Sequence, residues 1–366
     1  MSRALRRGWI CVIPDAMSIY PGASMNPATL TRRSKIFRLG LSSVLLLGLA
    51  ASPPARAQDA AAPQTTPTEL VDAMNQLFGK QTYGRAIHAK GIVLSGSFTP
   101  SSDARKLSKA THLQGGKVPV LVRFSSFAGI PMISDVDKLA SPRGMAIKFQ
   151  LLDGSETDIV SHSFNGFPSP TAAEFTQLLQ ALGTSPPGAP SPTPAEKFLS
   201  THPVAVAFLT TQAPPPVSFA TMRYFGVNSF KFTNAAGKTR FGRYQIVPAA
   251  GEQALSNDAL AKADKDYLEQ EIVPRVASAP VRFTLQVQLA EGEDKIDDPS
   301  IAWPPTREVI KLGEITISKA VADSDADSRR LMFTPSALLP GIEAADPMIA
   351  MRGASYGVSY GRRHTP

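Results

Sequence analysis

Val281-Arg-Phe-Thr-Leu-Gln-Val-Gln-Leu289 alternates without a break. Val281, Phe283, Leu285, Val287 and Leu289 fall on one side, and Arg282, Thr284, Gln286 and Gln288 on the other. Successive side chains of a strand point to opposite faces, so this stretch packs one side on a core and turns a polar side outward. Working outward, 309–317 reads as a further strand, and 229–233 and 240–247 flank Asn234-Ala-Ala-Gly237 as a hairpin. Upstream, 91–98, 118–124 and 145–152 are strand-like runs. Helical spacing places Leu70, Met74 and Leu77 on one face of 68–78. Thr171-Ala-Ala-Glu174 is a capping box that opens a helix with Phe175, Leu178, Leu179 and Leu182 on one face and Gly183 as its stop. Residues 203–212 and 255–272 predict two more helices, the second long and amphipathic, while 185–194 carries too many prolines for a helix or a central strand. Strands with a turn about every ten residues, interleaved with helices, predict an α+β fold: an antiparallel β-barrel with surrounding helices.

The first 57 residues stand apart. Arg32, Arg33, Lys35 and Arg38 precede the apolar run 39–51, and Ala55-Arg56-Ala57 follows it. A charged segment, a short apolar core and an A-x-A site are the marks of an export signal, so 1–57 is expected to be a signal peptide, with Met25 as a possible start. Thr31-Arg32-Arg33 hints at twin-arginine export. The expectation is therefore a periplasmic protein with no stable membrane anchor after cleavage, a flexible linker at 58–67 and one domain over 68–366. The segment 1–57 holds eight Lys/Arg and one acid, so the formal charge of +8 drops to about +1 without it. No nucleic-acid partner is implied. The sole cysteine, Cys11, lies in the same segment, which leaves the rest of the chain without a disulfide, a zinc–thiolate site or a thiolate ligand. The oligomeric state is not written in the sequence.

The motifs that could carry chemistry begin near the C-terminus. In Met351-Arg352-Gly353-Ala354-Ser355-Tyr356, Arg352 and Tyr356 share a helical face. A fixed cation favours the ionised form of a neighbouring acid, and a phenolate is a good ligand for ferric iron. The same spacing also suits an ordinary packing pair. His88 sits in Arg85-Ala-Ile-His88-Ala-Lys90-Gly91 at the entrance to a strand. In Val122-Arg123-Phe124-Ser125, alternation puts Arg123 and Ser125 on one face, where a hydroxyl could hold an imidazole and a guanidinium a carboxylate. Ser141-Pro-Arg-Gly144 is a turn feeding a strand, and Asp158 to Pro168, with His162 inside it, is a polar cluster at a strand end. No H-E-x-x-H pattern is present, which argues against a zinc hydrolase.

Taken in order, these pieces resemble the haem catalase superfamily, and within it the short, exported branch of catalase-related peroxidases. The resemblance runs from about residue 68 to 363 and rests on Arg85-x-x-His88-Ala-Lys-Gly, Val122-Arg-Phe-Ser125, Pro142-Arg-Gly-x-Ala-x-Lys-Phe149, Phe333-x-Pro with Pro340-Gly-Ile-Glu343, and Arg352-x-x-x-Tyr356. It implies a catalase-like barrel that binds haem b. His88 would be the distal histidine, Ser125 the serine that orients it, and Tyr356 the iron ligand with Arg352 as its cation. Arg85, Arg123 and Arg363 would neutralise the propionates. The implied reaction reduces hydrogen peroxide or organic hydroperoxides with a small organic reductant. Peroxide dismutation and non-catalytic carriage of haem or an apolar ligand are the alternatives. One departure concerns the distal side: His162 stands where the family has an asparagine, and weak dismutation is expected from it. Another is the Gly-Val-Ser that follows Tyr356.

Overall fold

In a computed structural model, residues 64–364 are described; the expected signal peptide and linker residues 58–63 lie outside them. Nine strands form one antiparallel sheet: β1 (Gly91–Pro100), β2 (Val118–Ser125), β3 (Gly144–Gln150), β4 (Glu156–His162), β5 (Tyr224–Thr233), β6 (Thr239–Pro248), β7 (Val281–Leu289), β8 (Val309–Ala320) and β9 (Ile342–Ala344). Their order is β4-β3-β2-β1-β8-β7-β6-β5-β9, and β4 also pairs with β5. The first eight strands therefore close on themselves as a barrel, with β9 added along β5. The seam is held by one backbone pairing, His162 against Phe225.

The alternation in β7 has the structural meaning its sequence suggests. Phe283, Leu285, Val287 and Leu289 are fully buried, and they meet Val122, Phe124, Met145, Ile147 and Phe149 from the opposite wall in one core. Phe124 stacks on Phe219 with ring centroids 5.0 Å apart. Each such side chain contributes roughly 1.5–3 kcal/mol by leaving water. The same alternation sends Arg123 and Ser125 to the outer surface of the barrel. There the pairings β1–β2, β2–β3 and β3–β4 line residues up in rows. Gly91, Ser125, Gly144 and His162 form one row, and Val93, Arg123, Ala146 and Val160 the next.

Helices cover this outer surface. The described helices are α1 (Pro67–Phe78), α2 (Ala104–Leu107), α3 (Ala172–Gly183), α4 (Pro194–Leu199), α5 (Pro203–Thr210), α6 (Asn257–Lys262), α7 (Tyr267–Ser278), α8 (Ser324–Arg330) and α9 (Met348–His364). Thr66 and Glu69 cap α1 reciprocally, and Pro67 takes the first helical position, where its missing N–H costs nothing. Leu70, Val71 and Met74 of α1 pack with Phe175, Leu178 and Leu179 of α3, and Met351 and Val358 of α9 join the same cluster. Pro194 likewise opens α4, directly after the proline-rich loop.

Three expectations are corrected. The single helix over 255–272 is two, α6 and α7, because the chain turns at 263–266. There Asp264 accepts from the Asp266 amide, and the Lys265 carbonyl is turned toward Lys90 and the Asp135 amide. At α3 the Thr171 hydroxyl accepts from Glu174 N, but only this half of the capping box is recorded, and Gly183 is the last helical residue rather than the stop. The helix from Pro203 ends at Thr210, short of 212.

Candidate active site

The row Gly91, Ser125, Gly144, His162 sets the geometry. Ser125 Oγ and His88 Nδ1 share a hydrogen bond of 3.0 Å. A Cβ at Gly144 would lie 2.5 Å from that hydroxyl and 2.9 Å from His88 Nδ1, so the imidazole rests where only glycine leaves room. His88 itself holds a left-handed backbone, φ +56°, which is uncommon for a residue with a side chain. The pairing around it maintains that conformation: His88 N donates to Phe127 O at 2.7 Å, Ala89 N to Ala128 O at 3.1 Å, and Ser126 N to Lys90 O at 3.0 Å. The Phe127 ring stands edge-on to the imidazole at 5.6 Å. Burial, then the charges of His162, Arg123, Arg352 and Arg85, lowers the His88 pKa to about 3, so the ring is neutral at physiological pH.

His162 ends β4 and is 8 % exposed. Its Nδ1 accepts from the Phe164 amide at 3.3 Å, whereas its buried Nε2 has no hydrogen-bond partner among the described residues. The ring packs edge-on against Phe208 at 6.4 Å, and Phe208 meets Phe127 at 6.0 Å, so an aromatic wall connects the two histidines. Burial followed by the Arg352 charge lowers its pKa to about 3 as well.

Next along the sheet, three guanidinium groups converge. Arg85 and Arg123 both donate to Ser328 Oγ at 2.9 Å. Arg85 and Arg363 both donate to Leu331 O, at 2.9 and 2.7 Å, and Arg363 also reaches Arg329 O at 3.1 Å. The last carbonyls of α8 and the residue beyond it thus serve as acceptors for cations, as helix C-termini do. Among the described residues, none of the three arginines makes an ion pair. Burial depresses each of them, Arg123 and Arg363 to about 10, and mutual repulsion adds to this for Arg85 and Arg123.

Arg352 and Tyr356 lie one turn apart on α9. Tyr356 is near enough to Arg85 and Arg123 for its charge to act on both. Arg352, expected from spacing to serve the phenol, gives its recorded hydrogen bond to Asn228 Oδ1 instead. Asn228 in turn donates to Asp346 at 2.6 Å, and Asp346 accepts from the Met348 amide at 2.9 Å at the start of α9. A strand residue and a helix-capping carboxylate therefore fix the guanidinium one turn before the tyrosine.

A family model described as Catalase matches residues 55–366. The chain belongs to the catalase family. It is 37 % identical to a catalase-related peroxidase of Mycolicibacterium paratuberculosis over 80 % of this chain and 93 % of that one. It is 32 % identical to a catalase-related peroxidase of Synechococcus elongatus over 83 % and 90 %. A fungal catalase crystal structure superposes with a TM-score of 0.68 at 21 % identity, over 89 % of this chain and 67 % of that one, which speaks to the fold.

Catalase-family membership makes this a peroxide-dependent haem enzyme, and the residues present fit haem. A trio of arginines with no carboxylate of their own suits a ligand with two acidic arms. A phenol lies within electrostatic reach of them. Two neutral imidazoles, one with a ring nitrogen that has no partner among the described residues, suit a small polar ligand. Several contributors were not singled out in the sequence. Ser328 and Leu331 gather the arginines, and Asn228 and Asp346 hold Arg352. Arg143, 1 % exposed, pins the turn before β3 through Ser126 Oγ at 3.0 Å and Ala140 O at 2.6 Å. Of these, Asp346 left a readable mark, since Asp346-Pro347 has the form of a helix start, and Arg143 stood inside the Pro142-Arg-Gly motif without a role of its own.

Proposed function

We propose that the protein reduces hydrogen peroxide or organic hydroperoxides with a small organic electron donor, using haem b. The observation that carries this reading is a neutral, Ser125-held His88 on the same outer face of the barrel as an arginine trio without carboxylate partners. Arg85, Arg123 and Arg363 would hold the propionates, and Tyr356 would be the iron ligand, with Arg352 one turn before it on α9. Bound haem would supply the iron that takes up a peroxide oxygen and the electrons that cleave the O–O bond.

The remaining work belongs to the chain. His88 accepts the proton of one peroxide oxygen and returns it to the departing oxygen, a task open to a neutral imidazole and closed to a charged one. Ser125 keeps the ring turned for both steps, and His162 faces the same ligand. Each turnover consumes one hydroperoxide and two electrons with two protons from the donor, and yields an alcohol, or water, plus water. Two relatives named as catalase-related peroxidases, matched over nine-tenths of their length, support donor oxidation over dismutation. The charged and apolar pattern of 1–57 supports export to the periplasm.

The test is the ferric spectrum and peroxide-dependent donor oxidation of the haem-loaded protein. Tyr356→Phe is expected to alter the first and abolish the second; an unchanged spectrum would remove Tyr356 from the site. His88→Ala is expected to slow donor oxidation by about 10²–10⁴-fold. The ratio of oxygen release to donor oxidised separates peroxidase from catalase turnover.

A further inference from the structure

Three successive carbonyls at the end of α8 receive side chains of α9 and of the arginine trio. Arg329 O accepts from Arg363 at 3.1 Å, Arg330 O from the Tyr360 hydroxyl at 3.2 Å, and Leu331 O from both Arg363 and Arg85. Tyr360 therefore stands beside the trio without belonging to it. The Arg363 guanidinium lies over its ring, 4.6 Å from the centroid, and the exposed His364 packs against the same ring at 4.1 Å. The phenol is thus half-buried between a buried cation and the surface, and its hydroxyl bonds at an exposed position. It lies one helical turn beyond Tyr356, about 6 Å along the axis. Ser359, next to it, accepts from the Ala86 amide at 3.3 Å, beside Arg85. Among the described tyrosines and tryptophan, only Tyr360 both touches a trio arginine with its ring and reaches the surface. Tyr224, Tyr244 and Trp303 are buried, and Tyr267 gives its hydroxyl to Pro216 O.

We infer that Tyr360 is a redox-active surface residue, at which phenolic reductants too large for the haem pocket deliver electrons one at a time. The inference rests on the haem reading above and adds to it the place where the donor is met. In each event the Tyr360 O–H bond breaks. Its electron passes inward to the centre that the hydroperoxide has oxidised, and its proton goes to water. A phenolic donor then gives one hydrogen atom to the Tyr360 oxygen and restores the O–H bond. Two such events complete a turnover: one hydroperoxide and two phenols yield one alcohol or water, one water and two phenoxyl radicals. Electron transfer weakens steeply with distance, so the ring contact with Arg363, a group that would hold a propionate, is what fits Tyr360 for this work.

The experiment uses the haem-loaded protein with hydrogen peroxide, and tyramine coupled to dextran as a donor that no pocket admits. Tyr360→Phe keeps the ring over Arg363 and removes the oxidisable hydroxyl. Freeze-quenched EPR without donor should show a tyrosyl signal in wild type, narrowed by ring-deuterated tyrosine and absent from Tyr360→Phe. Turnover of the dextran-linked phenol should fall at least about tenfold in kcat, while the first reaction with peroxide stays within about twofold of wild type. Tyr360→Trp, which supplies another oxidisable ring, should restore most of that turnover. A tyrosyl signal that survives in Tyr360→Phe, or undiminished turnover of the linked phenol, overturns the inference. So does a peroxide step slowed in parallel, which marks a structural role. Failure of the haem reading shows separately, as an unchanged ferric spectrum in Tyr356→Phe.

Discussion

Lys90 and Arg123 are both buried cations within a few ångströms of the same strand pair, and they are satisfied in opposite ways. Lys90 Nζ is 2.8 Å from both Asp135 and Asp266, and donates as well to Ile133 O and Lys265 O at 3.0 Å. Lys148, on β3, meets Asp158 at 2.9 Å and Glu156 at 3.0 Å, and Asp158 also receives the Thr334 amide. Among the described residues, Arg123 and its companions Arg85 and Arg363 donate to one hydroxyl and to carbonyls, two of these acceptors being shared, and Arg363 also lies over the Tyr360 ring. Arg143 and Arg243 are also bonded to neutral oxygens, but each stands apart from other guanidinium groups, whereas Arg85, Arg123 and Arg363 repel one another. The two lysines therefore join pieces of the fold to one another. The trio concentrates three positive charges that no carboxylate among the described residues pairs with directly, although Glu269 and Asp325 act on Arg123 from farther off, and this supports the reading of an anion site.

Cutting each kind of cation free should give different results. The largest effect is expected from Asp135→Leu. It leaves Lys90 short of a buried partner and should lower unfolding free energy by about 3–5 kcal/mol in a denaturant titration, with or without haem. Arg123→Met should do the reverse. Haem affinity falls about ten- to a hundredfold, while the stability of the haem-free protein stays within about 1 kcal/mol or rises as repulsion is relieved. A loss of several kcal/mol in the haem-free protein would make the trio structural and erase the contrast.

Acid should separate the regions further. His88 and His162 have folded pKa values of about 3, below the value of about 6.5 expected unfolded. The unfolded chain binds more protons, so the stability they allow is complete above pH 6.5 and is lost as pH falls toward 3. Each contributes up to roughly 1.4 kcal/mol per pH unit across that window. His162→Asn should remove one histidine's share of this slope, as read from Tm against pH. The smallest effect is expected far from either kind of cation. Thr66→Ala breaks the cap of α1 and should cost about 1 kcal/mol with no change in haem affinity.

What the sequence disclosed and what it hid have physical causes. The period-two pattern of 281–289 is imposed by burial of one strand face, so β7 was readable to the residue. The same logic put Arg123 and Ser125 on one strand face; that this is the barrel's outer face, with His88 close by, came from the fold. The break at 263–266 was hidden because the apolar spacing continues across it, and the chain bends there to present a carbonyl to Lys90, a contact with no local signal. Backbone acceptors explain the other omissions too. Leu331 matters through its carbonyl, which any residue possesses, and Phe164 through its amide. The positive φ of His88 depends on the strand beside it. Arg352 was read from its i+4 neighbour, yet its hydrogen bond goes to Asn228, 124 residues away in the chain.

The sharing of Ser328 and Leu331 among three arginines has a bearing on how the protein matures. The cluster draws on the loop before β1, on β2, on the end of α8 and on the last turn of α9, so its members come from residue 85 at one extreme and 363 at the other. No partial chain contains it. On the proposed reading, cofactor capture through these arginines is a late event that follows the docking of α9 against α1 and the carbonyl end of α8. On that reading an incomplete polypeptide does not carry the group with it, and loading follows completion of the fold.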